Sequence, residues 1–307
     1  MQDQCSDVDN SMIINKIRNR CRCERWWQVC LSLAIALTTP FANADDLVCH
    51  WAHGPIVIDG SDDDLAWSHA TTIDRFLIPG SENPVPKAAT RAKLLWDRQY
   101  FYFYAELEDH DLFADIIEHD GKTWDNDVFE IFLKPSRESP GYYEFQVNAA
   151  GTEMDMFLPD QKSGGFDALK SSNDFHWKTQ VRLNGSLNQR EDRDRSWTVE
   201  GRIPWLDFMP TGGRPALDEV WQVALCRYDY ALHEKPELSS CAPLTNLNFH
   251  RYEDYATLRF ASGSETNATT QALRSRQHFA DSKVVGSPDP PLPYRDRKST
   301  RLNSSHG

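Results

Sequence analysis

From Ala92 onward the chain breaks into short aromatic and aliphatic runs separated by turn residues, with little helical periodicity. The clearest run is Tyr100-Phe101-Tyr102-Phe103-Tyr104. Successive side chains of a strand point to opposite faces. One face is therefore phenolic and the other wholly apolar, the pattern of a sheet with one side in the core. Asp97-Arg98-Gln99 joins this run to the apolar stretch before it, as in a hairpin. The same reading predicts strands over 92–96, 100–107, 128–133, 142–147, 154–158, 177–183, 197–203, 221–226 and 255–260. Pro135, Pro140-Gly141, Gly151, Asn184-Gly185 and Gly212-Gly213 punctuate them. Helix signals are confined to Asp62-Asp63-Asp64 before Leu65-Ala66-Trp67, and to Pro204 opening a turn through Trp205-Leu206-Asp207-Phe208. Many short strands with so few helices predict an all-β fold, a jelly-roll-like antiparallel β-sandwich with one or two short helices.

The ends read differently. Lys16, Arg18, Arg20, Arg22 and Arg25 precede an apolar run from Trp26 to Leu37, and Ala42-Asn43-Ala44 follows. This order is that of a secretory signal over residues 1–44, cleaved before Asp45, and it predicts export to the periplasm or the outside. The apolar run falls short of the roughly 20 residues that span a bilayer. The long stretch before the basic cluster points to Met12 as the start, and no cysteine follows the cut to carry a lipid. Residues 45–261 form the expected domain. Residues 262–295 turn polar and then proline-rich (Pro288, Pro290, Pro291, Pro293), as in a tail or a linker to a further domain. Residues 296–306 match the translation of a common sequencing adapter, so 296–307 are set aside.

The leader carries one net positive charge and the final segment two, so the net charge of −13 becomes −16 over residues 45–295. So acidic a surface repels nucleic acid and anionic lipid, and suits neutral or cationic partners and divalent cations. Cys49, Cys226 and Cys241 remain after the leader. In an exported chain a bridge is in keeping with the compartment; Cys226–Cys241 would close a loop worth on the order of 3 kcal/mol and leave Cys49 over, although sequence alone does not fix the connectivity. No cysteine pair has zinc-site spacing.

A family resemblance rests on five motifs in order. Pro55-Ile56-Val57-Ile58-Asp59-Gly60 with Asp63, Ala66-Trp67 and Ala70 resembles the opening of the family 9 carbohydrate-binding modules. Trp124-Asp125-Asn126-Asp127-Val128-Phe129-Glu130-Ile131-Phe132 resembles their central motif, and Tyr143-Glu144-Phe145-Gln146-Val147-Asn148 the next strand. Trp197-Thr198-Val199-Glu200 with Ile203-Pro204-Trp205, and the stretch from Phe249-His250 to Leu258-Arg259-Phe260, are similar to the later elements. The likeness covers roughly residues 47–261. It implies a sandwich that grips the end of a sugar chain between two tryptophans, serves polysaccharide breakdown or uptake, and works with a fused or partner catalytic domain. It also implies structural calcium. Matched position by position, Trp124 stands for the first tryptophan and Glu130 for the hydroxyl-binding acid, while Gln146 replaces an arginine. Cys241 holds the second tryptophan's place, so that wall needs Phe249, Tyr228 or Tyr252.

The residues themselves point the same way. Trp124 lies in a polar stretch with no core to enter, and amphipathic rings are common at binding surfaces. Glu130 shares a strand face with Val128 and Phe132, so a buried acid there needs a partner or a ligand. Gln146 offers both donor and acceptor to a hydroxyl pair. Asp109, Asp111, Asp115, Asp125 and Asp127 are oxygen ligands of the kind calcium takes, with Asp125 and Asp127 the named candidates. Their spacing matches no calcium loop, and composition favours a solvated acidic rim. Two rival functions make different demands on these residues. A glycoside hydrolase would need a carboxylate pair such as Glu130 and Glu200 about 5–10 Å apart. A haem carrier would use Met154 or Met156 with His176, without a Cys-x-x-Cys-His motif and with methionines that read as core packing.

Overall fold

In the computed structural model, the described residues are 46–261 except 83, 162, 164, 171–174 and 231–234. The expected leader, the stretch 262–295 and the set-aside terminus lie outside them. Among the described residues, no helix is long and apolar enough to cross a membrane.

Twelve strands follow in order: β1 (Asp46–Trp51), β2 (Thr72–Ile73), β3 (Thr90–Trp96), β4 (Tyr100–Glu108), β5 (Val128–Lys134) and β6 (Tyr142–Asn148). Then come β7 (Glu153–Leu158), β8 (Lys178–Asn184), β9 (Ser196–Pro204), β10 (Val220–Asp229), β11 (Glu237–Ser240) and β12 (Ala256–Phe260). Every predicted strand is present. The short strands β1, β2 and β11 were not foreseen, nor was the α-helical turn α1 (Phe166–Lys170). The two predicted helix sites are 3-10 turns, Leu65–His69 and Trp205–Thr211.

The ladder order is β7-β6-β5-β10-β12-β1-β3-β4-β9-β8, with β11 on β10 and β2 on β3. Strand β1 joins the two halves: Asp46 to Cys49 pair with β12, and His50 and Trp51 with β3. Both of these ladders are parallel and the remaining ladders are antiparallel. The result is an all-β sandwich whose halves stay hydrogen-bonded along one seam.

The alternation of β4 explains the core. Phe101, Phe103, Ala105 and Leu107 point between the sheets, where Phe103 stacks on Phe129 of β5 at 6.4 Å. The opposite face is not the open phenolic surface that the alternation predicts. Tyr102 and Tyr104 are buried with Leu95 beneath Ala52, Ile56, Ala66 and Trp67. Glu200 of β9 fastens this cover: its Oε1 accepts from Trp67 Nε1 at 3.0 Å, and its Oε2 from the Asp59 and Gly60 amides at 2.7 and 2.9 Å. Gly60 has φ +87°, and a Cβ there would meet Arg182 Cγ at 2.9 Å, so both the turn and the approach require glycine. The Asp-Gly, Trp67 and Trp-x-x-Glu motifs thus form one structural clasp.

The expected disulfide does not form: Cys49, Cys226 and Cys241 are free thiols. Register is the reason. Cys226 stands opposite Ser240, and its Sγ donates to Ser240 Oγ at 3.4 Å. Cys241, one residue on, bonds instead to Leu225, its amide to the Leu225 carbonyl and its Sγ to the Leu225 N–H. Consecutive positions face opposite sides of a sheet, which separates the two sulfurs.

Candidate functional site

The outer face of β5, β6, β7 and β10 forms the floor of a cavity of about 270 Å³. Pairing register sets its polar groups in rows. Glu130 stands opposite Gln146 and Cys226, and Phe132 opposite Glu144 and Ala224. Trp124, the loop residues Leu247, Asn248, Phe249 and His250, and Tyr228 and Met156 complete the lining. All four predicted ligand-binding residues, Trp124, Glu130, Gln146 and Tyr228, therefore meet at one place, together with Phe249.

Trp124 sits half-buried at this rim rather than between the sheets. It belongs to the 3-10 turn Thr123–Asp125, which is held from three sides. Thr123 is buried and its hydroxyl donates to Gln146 Oε1. The Tyr230 hydroxyl donates to the Trp124 carbonyl at 2.9 Å. Asn126 is fully buried and accepts from the Ile116 amide at 3.0 Å. One face of the indole carries the ammonium of Lys170 on α1, 5.0 Å from the ring centroid.

The second aromatic wall comes from Phe249 and Tyr228, whose rings meet edge-on at 5.3 Å. The Tyr255 hydroxyl fixes Phe249 by donating to its carbonyl at 2.7 Å. Tyr252 does not line the cavity; it packs on Tyr142 beneath Lys134. Cys241 borders a separate depression with Asp46, Leu47 and the stretch 71–75.

The floor is acidic and buried. Glu130 and Glu144 are 2% and 3% exposed. Burial, followed by the charge of Glu144, pushes the Glu130 carboxyl well above its ordinary range. Burial also raises Glu144, opposed by His250, the Gln146 bond and Lys170. Gln146 Nε2 donates to Glu144 Oε1 at 2.6 Å, so this amide is engaged at both ends by the protein. Burial and the nearby Glu130 raise the Tyr228 phenol as well.

Sequence reasoning missed Glu144 and His250. Their signals were the two-residue spacing from Glu144 to Gln146, which puts both on one strand face, and the adjacency of His250 to Phe249.

The acidic cluster divides. Asp115 and Asp125 are exposed as a solvated rim requires, but Asp109 and Asp127 are buried, with carboxylate oxygens close to those of Asp229. Asp127 accepts the Tyr230 and Phe113 amides, both at 2.6 Å. Arg227 Nη2 lies 3.1 Å from Asp109 and 3.3 Å from Asp229. Positive charge of the kind a calcium ion would bring is thus already supplied by a guanidinium, and Asp125 stands outside the group. Burial raises Asp127 to about 9, with Asp109 adding to the shift. Asp109 itself is raised to about 6 by burial and Asp229, with Arg227 opposing.

The carboxylate pair weighed for hydrolysis does not assemble. Glu130 faces the cavity, whereas Glu200 is committed to Trp67 and Gly60 under the cover of the other sheet. The haem ligands fare no better. Met156 lines the cavity, while the His176 ring is held by Asp207 at 3.1 Å and does not reach that lining.

Residues 58–237, more than half of the 307-residue chain, match the family described as carbohydrate family 9 binding domain-like. The chain belongs to this family. Among curated proteins, the family 9 module is 28% identical over 162 residues to endo-1,4-beta-xylanase A of Thermoanaerobacterium saccharolyticum. It is 26% identical over 179 residues to exoglucanase XynX of Acetivibrio thermocellus. Each match takes in 52% of this chain but only 12% and 15% of those proteins. Among solved structures, one described as a carbohydrate-binding protein of Bacteroides uniformis superposes with a TM-score of 0.55 at 14% identity, covering 70% of this chain and 99% of that one. A family 9 module of Caldicellulosiruptor kristjanssonii in complex with cellotriose gives 0.49 at 16% identity, over 72% and 95%.

Proposed function

We propose that the cavity on β5, β6, β7 and β10 is the saccharide site of an exported, non-catalytic module that holds a glycan for a catalytic partner. One observation carries the reading: a half-buried indole and an aromatic pair line the same cavity as buried carboxylates and an amide. A pyranose ring offers apolar C–H faces to such walls and hydroxyl donors to such a floor. Trp124 and Phe249 supply the walls, Glu130 accepts from hydroxyls, and Gln146 holds Glu144 in place. The small site predicts weak binding, in the roughly micromolar-to-millimolar range. Export rests on the basic, apolar and small-residue order of residues 16–44. A catalytic partner is suggested by relatives named as a xylanase and an exoglucanase, in which the matched region is a minor part.

The test is retention on a panel of insoluble and soluble polysaccharides, alongside reducing-sugar release from the same panel. Binding without release supports the module. Release by the purified chain would make it a glycoside hydrolase, and absence of binding across the panel would end the reading.

A further inference from the structure

The polar groups of the cavity are unevenly matched. Glu130 and Glu144 bring two carboxylates, and no lysine or arginine is among the described residues that line it. Glu144 Oε2 is buried without a hydrogen-bond partner among the described residues. Glu130 likewise has no side-chain partner among them, whereas Gln146 is bonded to Thr123 and Glu144. Among the described residues, His250 and Lys170 also lie near this face. His250 Nδ1 lies 4.0 Å from Glu144 Oε2 and 2.9 Å from the Tyr142 hydroxyl. Lys170 is held by the Asp120 carbonyl at 2.8 Å and lies over Trp124.

A sugar hydroxyl can offer one donor and no charge. An ammonium offers three donors and a full positive charge. A buried carboxylate is costly unless a cation and hydrogen bonds compensate it. The rim suits the same ligand, because the face of an indole attracts cations and Trp124 already carries one. We propose that this cavity selects saccharides bearing a free ammonium group, an unacetylated amino sugar, with Glu144 Oε2 as the partner of the nitrogen and Glu130 beside it. This rests on the saccharide reading above and names its ligand class.

The experiment is calorimetric titration of the full chain, at mildly acidic pH, with three trisaccharides of the same linkage: β-1,4-linked glucosamine, N-acetylglucosamine and glucose. The glucosamine trimer is expected to bind at least about tenfold tighter than either neutral one. Glu144→Gln, an isosteric change whose folding is checked by its urea midpoint, should shrink that margin to less than about threefold. A neutral trimer that binds as well as the glucosamine trimer overturns the selectivity while leaving the module reading intact. A glucosamine preference that survives Glu144→Gln reflects only the attraction of an acidic surface for a polycation, and overturns the assignment to this site. If none of the three binds, the amino-sugar proposal fails, and the polysaccharide panel decides whether the saccharide reading fails with it.

Discussion

Glu130 and Gln146 stand opposite each other across the β5–β6 ladder, yet Gln146 gives its amide to Glu144, two residues along its own strand. The acid that the sequence pattern places on the floor, Glu130, is thereby left without a side-chain donor among the described residues. Glu144, two positions from Gln146, is half satisfied: Oε1 accepts from the amide and Oε2 has no partner among the described residues. The Gln146 amide, bonded to Thr123 and Glu144, works as a strut. The consequences below follow from this arrangement and from the buried charges around it.

Replacing Trp124 with alanine should weaken saccharide binding by about tenfold or more, the loss of one stacking wall. The thermal midpoint should move little, because the ring is half-buried at the rim and the turn is held by Thr123, Asn126 and Tyr230. Affinity measurements and a melting curve on the same preparation check both parts. Unimpaired binding would move the site elsewhere.

Gln146→Ala leaves Glu144 Oε1 and the Thr123 hydroxyl without their partner in a buried floor. The expected loss is about 1–3 kcal/mol of stability, the usual consequence of an orphaned buried polar group. Urea unfolding measures it, and an unchanged midpoint would mean that water replaces the amide.

Arg227→Met should destabilise far more, by about 3–5 kcal/mol, since it leaves buried Asp109 and half-buried Asp229 beside Asp127 without their guanidinium. In the unaltered protein, a chelator should leave the melting temperature where it was. A chelator-induced drop of several degrees would show that a metal ion shares the neutralising role.

Stability should fall as pH rises. Asp127 is raised to about 9, and Asp109 and Asp155 to about 6, in each case first by burial. These lie above the roughly 3.9 of an unfolded aspartate, so the folded state keeps protons that the unfolded chain releases. Their contribution is fully present below about pH 4, and is lost through about pH 6 for Asp109 and Asp155 and about pH 9 for Asp127. Urea midpoints at pH 5, 7 and 9 should decline in that order, with Asp127→Asn flattening the upper interval. A level or rising series would remove the buried acids from the account.

Reductant should leave the melting temperature unchanged, because the three cysteines of the described residues are thiols. A fall on adding dithiothreitol would restore the bridge that composition alone suggested.

The strands and most of the floor were legible because both depend on a two-residue period that the chain displays openly. Phe101 and Phe103 announce the core face, and Glu130 between Val128 and Phe132 announces an acid on a buried one. What stayed hidden depends on pairing across distance. Whether Cys226 meets Cys241 or Ser240 is a matter of register between β10 and β11, and no local pattern fixes it. The cover over Tyr102 and Tyr104 comes from the largely irregular segment 52–70, which has no period to read. Asp109 and Asp127 look like rim residues in a polar stretch, but Arg227, far along the chain, draws Asp109 inside, and the Phe113 and Tyr230 amides hold Asp127.

Strand β1 gives the sandwich a particular order of assembly. Its first four residues register with Thr257–Phe260 and its last two with Leu95 and Trp96, so this one hexapeptide latches both halves together. The contacts it makes with β12 span more than two hundred residues of sequence, and loops that long close late because their ends meet slowly. Trimming the chain at Ala52 would therefore leave two half-sheets each with a bare edge, prone to join a neighbouring molecule instead of each other.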